Sequence, residues 1–250
     1  MTPRPGARRE VIPMPALSRS RQDYLKELYA LAPGGESVST SSLARRLAVS
    51  PPSVTNMLAR LAREKLVSHT PRGGARLTAE GRRQAIAMVQ RHRIIESFLV
   101  QVLGLDWAEV HEDAEVLEHH ISERVLAAMD RLAGHPHEDP HGHPIPDAQG
   151  RIARRDLTAL SRVEAGAQAT VREIRDADAE RLAHWKRVGL VPGAVVRVHA
   201  VRALEDVFDI EVKGRRLITG SEGLDGVMVE TGGRRPARRR RAAVPREGHA

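Results

Sequence analysis

Four side chains in one short stretch, His111, Glu115, Glu118 and His119, are of the types that bind a divalent cation. At about 100° per residue they fall within roughly 100° of one another on a helix, beside an apolar stripe of Val110, Ala114, Leu117 and Ile121. Carboxylates that border such a stripe are half-buried and repel one another, which is costly unless a cation neutralises them. His92 and Glu96, four apart on a preceding helix, share a face and offer a second pair of ligands. The chain has no cysteine, so an ion must be held by oxygen and imidazole, and disulfides, thiolate sites and iron-sulfur clusters are excluded.

Spacing alone leaves open that this is an ordinary solvated Glu/His face. Two enzyme readings are weakened by their letters. His111-Glu112-Asp113-Ala114-Glu115 has a glutamate where a zinc protease needs its second histidine, and no Glu-x-x-His pair of a di-iron bundle occurs on these helices. The segment from His135 to Pro146 holds four more histidines but is broken by proline and glycine, so it is expected to be a solvated loop, with auxiliary metal capture as the alternative.

The elements around these ligands differ sharply in charge. Residues 18–84 carry 12 Lys and Arg against 5 acids, residues 85–146 carry 4 against 11 together with 8 of the 12 histidines, and residues 147–231 balance at 14 each. A basic module is therefore followed by an acidic one. The remaining positive charge sits at the ends, residues 1–17 and the Arg-rich 232–250, which are expected to be a disordered arm and a disordered tail. No apolar run approaches a membrane span and the start has no apolar signal core, so the chain is expected to be cytoplasmic with no membrane partner.

The basic module, residues 18–84, reads as a winged helix-turn-helix. Leu25, Leu28, Tyr29 and Ala32 have helical spacing, Pro33-Gly34-Gly35 ends that helix, and Ser39 to Ser42 cap a short second one. Pro51-Pro52 open a third helix that turns Val54, Met57, Leu58 and Leu61 inward. Ser50, Pro52, Ser53, Thr55 and Asn56 then face a major groove, with Asn56 suited to a bidentate contact to adenine. Arg60, with Arg72 and Arg76 on a hairpin wing, suits phosphate. Residues 85–146 follow as a helical module, with the metal-ligand helix expected to run unbroken from near Trp107 to Glu123. Residues 147–156 are expected to be a polar linker, and residues 157–231 read as short strands with one helix at Ala179 to Val188.

These residues resemble the diphtheria toxin repressor and manganese transport regulator family of metal-dependent transcription factors. The likeness rests on Asp23-Tyr24-Leu25, the helix start Ser50-Pro51-Pro52-Ser53-Val54-Thr55, Arg91-His92-Arg93, Glu115-x-x-Glu118-His119-His120, and Pro140-His141-Gly142-His143-Pro144-Ile145-Pro146. The resemblance implies a mainly α chain with a winged helix, a helical dimerisation and metal-binding domain, and a small SH3-like barrel. It implies a primary metal site of Asp23, Glu115, Glu118 and His119 and a second of His92, Glu96 and His111, with Glu173 and Asp176 of the barrel aligning loosely as further ligands. Oxygen ligands at Asp23 and Glu115 match the manganese-responsive branch, so Mn(II) is expected, with Fe(II) as the alternative. Where that branch has a glutamate three positions after its aspartate this chain has Lys26, which points away from a bridged pair of ions. The function so implied is a metal-loaded homodimer on double-stranded operator DNA, repressing metal-uptake genes, with no small organic substrate and no catalysis. Two rival readings are a sequence-nonspecific DNA-coating protein driven by the Arg-rich ends and a metal-dependent enzyme.

Overall fold

The computed structural model describes residues 10–13, 17–70, 73–175 and 178–231. Helix α1 (Arg19–Leu31) buries Tyr24, Leu25, Leu28 and Tyr29 on one face. Helices α2 (Thr40–Arg46) and α3 (Pro51–Arg63) begin where the cap chemistry places them. The Ser39 and Ser50 side chains accept the N–H groups of Ser42 and Ser53, and prolines stand in the first turn of α3, where a missing N–H leaves no bond unmade. Val54, Leu58 and Leu61 are wholly buried, which fixes the opposite face of α3 outward.

Strands β1 (Val67–Thr70) and β2 (Gly74–Leu77) form the antiparallel wing, and Val38 pairs with Ala75 along its edge. Gly74 has φ +77°, and a Cβ there would stand 2.5 Å from the Val38 carbonyl oxygen, so glycine lets the two backbones meet.

Helix α4 (Ala79–Gln101) is the spine, about 34 Å long at 1.5 Å per residue. Its first half gives Ala85, Ile86 and Val89 to the core of the N-terminal unit. Its second half gives Ile94, Ile95 and Leu99 to a separate core shared with α5 (Val110–Leu117) and α6 (Glu123–Leu132). The expected unbroken helix to Glu123 is thus two helices. Ser122 caps α6 by accepting the Val125 N–H, and Glu118 to His120 form the intervening turn.

Part of the arm expected to be disordered and part of the expected polar linker are packed on the folded units. Within the N-terminal arm, Ile12 packs on the first core and Val11 on the second, while the Ile12 N–H donates to Gln90 Oε1 at 2.7 Å. Gln90 is fully buried and also donates to the Pro146 carbonyl, so the arm, the middle of α4 and the loop after α6 meet at one amide. In the linker, Asp147 accepts the N–H groups of Gln149 and Arg151, and Ile152 packs on the first core. Residues 1–9 and 14–16 of the arm and all of the tail lie outside the described residues.

The C-terminal unit is a six-stranded antiparallel sheet of β3 (Thr158–Ala159), β4 (Gln168–Ile174), β5 (Val195–Arg202), β6 (Val207–Val212), β7 (Arg215–Thr219) and β8 (Val227–Thr231), ordered β3-β8-β4-β5-β6-β7. Helix α7 (Ala179–Val188) covers it with Leu182 and Trp185. Register shifts at Val171/Glu173 and Val198/Ala200 curl the sheet, yet β3 and β7 remain its two edges, so it is an open sheet rather than a barrel closed by hydrogen bonds. "Mainly α" describes only the chain as far as α6. Trp107, just before α5, packs into the core of this unit and docks it against the middle of the molecule.

Candidate metal centre

Asp23 and Lys26 lie one turn apart on α1, and both reach the turn between α5 and α6. Ending α5 at Leu117 lets Glu118 turn inward to zero exposure, with His119 beside it. Gln22 donates from Nε2 to the Leu17 carbonyl at 3.1 Å, which sets its Oε1 2.7 Å from His119 Nδ1. An amide oxygen only accepts, so Nδ1 carries the proton and Nε2 presents a lone pair. That Nε2 stands 3.1 Å from Asp23 Oδ1, and both atoms are buried without a hydrogen-bond partner.

Burial holds His119 below the usual imidazole range, against the pull of Glu118 and Asp23. Burial likewise lifts Asp23 above the usual carboxylate range. Two electron-rich atoms facing each other out of water are unfavourable unless a proton or a metal cation is shared between them. Glu118 Oε1, 3.5 Å from the same nitrogen, completes a set of Asp23, Glu118 and His119 whose ligand atoms lie within 4.8 Å of one another. The residues present therefore fit a divalent ion with hard oxygen and imidazole donors.

Glu115, expected in the same set, pairs with Lys26 instead, whose ammonium sits on the same Glu118 oxygen that faces His119. Lys26 donates from Nζ to Glu115 Oε1 and to Glu118 Oε1, each at 2.6 Å. Burial opposes the Lys26 charge, but the two carboxylates overcome it and hold the ammonium above its ordinary range. Glu118 Oε2 accepts from His92 Nδ1 at 2.6 Å, so both oxygens of this buried carboxylate are engaged.

His92 leads to the second group. Its Nε2 lies 2.9 Å from Glu96 Oε1 and 3.1 Å from His111 Nδ1, and His111 Nδ1 lies 3.2 Å from Glu96 Oε1. Burial opposes a charge on His92, yet Glu96 and Glu118 at its two nitrogens push its pKa up to about 10. The expected trio of His92, Glu96 and His111 is thus brought together, and His92, His111 and Glu115 also have ligand atoms within 4.8 Å.

A third group went unread in the sequence. Glu96, Asp139 and His141 are all buried with ligand atoms within the same span. His141 Nε2 donates to the Trp107 carbonyl at 2.8 Å, leaving Nδ1 3.7 Å from Glu96 Oε2. The loop expected to be solvated is folded because Asp139 Oδ1 accepts the N–H groups of His141 and His143. Gly142 at φ +87° lies where a Cβ would stand 1.9 Å from the Arg172 carbonyl oxygen, so the loop fits flat against β4. Asp-Pro-x-Gly at 139–142 was the turn signal that could have shown this.

Glu173 is not gathered into any of the three groups. Its carboxylate pairs with Arg175 at 2.9 Å and lies 4.0 Å from Arg155. Asp176 falls outside the described residues.

On α3, Pro52, Ser53, Thr55, Asn56 and Arg60 are all exposed, as are Ser50 before it and Arg76 on β2. The Ser50 and Ser53 hydroxyls bond to each other at 2.9 Å, and Thr55 donates to the Pro51 carbonyl, so the hydroxyls order the helix start. Asn56 keeps its amide free of any intramolecular hydrogen bond among those described. Arg72 lies outside the described residues.

Known proteins match every part of this architecture. Residues 16–75 match the family described as iron dependent repressor, N-terminal DNA binding domain, residues 78–147 its metal binding and dimerisation domain, and residues 158–231 the FeoA domain. The chain is 32% identical over 190 residues to the iron-dependent repressor IdeR of Mycobacterium leprae, covering 70% of this chain and 81% of that one. It is 36% identical over 123 residues to the diphtheria toxin repressor of Corynebacterium glutamicum, covering 49% and 54%. Among solved structures, a manganese-dependent transcriptional repressor in complex with manganese aligns with TM-score 0.79 at 37% identity, covering 84% of this chain and 99% of that one. ScaR with bound Cd2+ aligns with TM-score 0.71 at 30% identity, covering 84% and 98%.

Proposed function

Because this chain belongs to the iron-dependent repressor family, the family of the diphtheria toxin repressor, we propose that it represses metal-uptake genes as a homodimer whose operator binding requires Mn(II), or alternatively Fe(II). The chain is a regulator and not an enzyme. The observation that carries the reading is the unpartnered pair Asp23 Oδ1 and His119 Nε2, which joins α1 of the DNA-binding unit to the α5–α6 turn.

A bound divalent ion supplies the positive charge that Asp23, Glu118 and His119 lack among themselves. Asp23 brings α1 with it, and α1 shares its core with α3, so fixing Asp23 against His119 fixes the recognition helix against the dimerisation unit. Gln22 keeps the His119 lone pair aimed at Asp23. In the dimer the two copies of α3 would then stand about 34 Å apart, one turn of DNA. Metal binding and DNA binding are thereby coupled, each strengthening the other by the same factor.

The second ion is assigned to the linked groups around Glu96, with His92 and His111 on one side and Asp139 and His141 on the other. Exposed Val102, Leu103, Leu105, Val116, Val125 and Leu132 on and around α4, α5 and α6 support the homodimer, since large apolar side chains clustered on one unit mark an interface. The curled C-terminal sheet is read as the SH3-like module of the longer family members. Ser50, Pro52, Ser53, Thr55, Asn56 and Arg60, with Arg72 and Arg76 of the wing, are read as the DNA contacts.

The experiment is binding to DNA from upstream of its own gene, with and without Mn(II), for the wild type and for His119→Ala. Wild-type binding should need the metal, and His119→Ala should lose that response while staying folded. Metal-independent binding by the wild type would overturn the reading.

A further inference from the structure

The position between Glu115 and Glu118 is already filled by a cation of the protein itself. Lys26 Nζ stands 2.6 Å from an oxygen of each, on a side chain only 10% exposed, against a Glu118 side chain of zero exposure. These partners are 89 and 92 residues away in sequence, so the ammonium of α1 reaches across to the sensing unit much as a metal ion would. Resting on the assignment of Asp23, Glu118 and His119 to one ion, we infer that Lys26 is a resident cation of this centre. Its ammonium takes the place of a second, bridging divalent ion.

Glu115 and Glu118 converge on one point, and their mutual repulsion is relieved by a single positive charge that never dissociates. The centre on α1 therefore takes one ion, held by Asp23, His119 and Glu118, next to a fixed ammonium that shares the same Glu118 oxygen. The metal-free chain also keeps one tether between α1 and the α5–α6 turn, so the recognition helix is restrained before any ion arrives. Lys26 in this sense is a positioning residue that sets the stoichiometry of the site.

The test counts manganese on the full-length chain, stripped with EDTA and reloaded with excess Mn(II). Lys26→Glu and Lys26→Met should each bind one more Mn(II) per chain than the wild type, and the added ion should broaden the Mn(II) paramagnetic resonance spectrum by coupling to its neighbour. Lys26→Arg, which keeps the charge, should keep the wild-type count and spectrum. In EDTA, Lys26→Met should melt below the wild type, and Mn(II) should close that gap, because an ion then does what the ammonium did.

Unchanged counts in both Lys26→Glu and Lys26→Met, with a melting deficit that Mn(II) leaves open, would overturn the inference. If Lys26→Glu does not fold, Lys26→Met decides the count by itself. His119→Ala separates the two claims. Loss of one Mn(II) there with no gain in the Lys26 variants sinks the resident-cation inference alone, whereas no loss in His119→Ala sinks the site assignment beneath it.

Discussion

Asp23 Oδ1 and His119 Nε2 face each other at 3.1 Å, both buried and without a hydrogen-bond partner. The Gln22 amide is what forces this, since its oxygen takes the only proton of the neutral imidazole.

Replacing Asp23 by asparagine turns this into a test with opposite signs in two conditions. The amide N–H so introduced can donate to His119 Nε2, so Asp23→Asn should stabilise the metal-free chain by about 1 kcal/mol, the worth of a new buried hydrogen bond. The same change removes a charged ligand, so the gain in melting temperature on adding Mn(II) should shrink sharply. Calorimetric melting in EDTA and in Mn(II) reads both effects. A lower melting temperature in EDTA would show that the two atoms do not oppose each other as described.

Gln22 holds His119 from outside the ligand set. Residues in that role typically account for about 10- to 100-fold in metal affinity. Gln22→Ala should weaken Mn(II) binding by that factor without changing the number of ions bound at saturation. Gln22→Glu, which still accepts from Nδ1, should restore most of it. Isothermal titration with Mn(II) makes the comparison, and equal affinity in Gln22→Ala would leave His119 oriented by something else.

Gly142 ties the third group of ligands to the sheet. Alanine there meets both a positive φ and the Arg172 carbonyl oxygen at 1.9 Å, so the loop must lift from β4. The αL conformation alone costs a non-glycine residue about 1–2 kcal/mol, and the clash adds to it. Gly142→Ala should therefore lower the melting temperature and reduce metal uptake at Glu96, Asp139 and His141, while Asp23, Glu118 and His119 still take their ion. Metal counting alongside thermal melting checks this, and full uptake with unchanged stability would mean that the loop does not position those ligands.

How far the centre could be read from sequence depended on how local its causes are. The capping serine at 39, the prolines at 51 and 52 and the inward stripe of α3 act within one turn, and they located α2 to within three residues of its start and α3 at its first residue. His92, Glu96 and His111 met because helical period alone puts the first two on one face and α5 packs against α4. Lys26 stood out only as a departure from the manganese branch, and its pairing with Glu115 and Glu118 escaped because those partners lie about 90 residues away, while Gln22 escaped because an amide next to a ligand has no spacing signature. Asp139 and His141 escaped for a different reason. Proline and glycine were read there as marks of a loose loop, when they build a tight turn whose acid is buried by its own backbone donors. The break after Leu117 was legible in Ser122-Glu123, a cap and first-turn acid at the end of the segment expected to be one helix.

Sequence readout and charge attraction should separate on DNA. Asn56 is exposed on α3 with no competing intramolecular bond among those described, so Asn56→Ala should cost about 1 to 3 kcal/mol on the operator and much less on random DNA. Deleting Arg234 to Ala250 removes seven arginines and one glutamate, so it should weaken operator and random DNA together and flatten the dependence of affinity on salt. Binding isotherms across a salt series, with Mn(II) held constant, measure both. The ratio of operator to random affinity should fall in Asn56→Ala and hold in the deletion. The reverse pattern would move sequence recognition from α3 to the arginine-rich end and leave the DNA-coating reading as the better account.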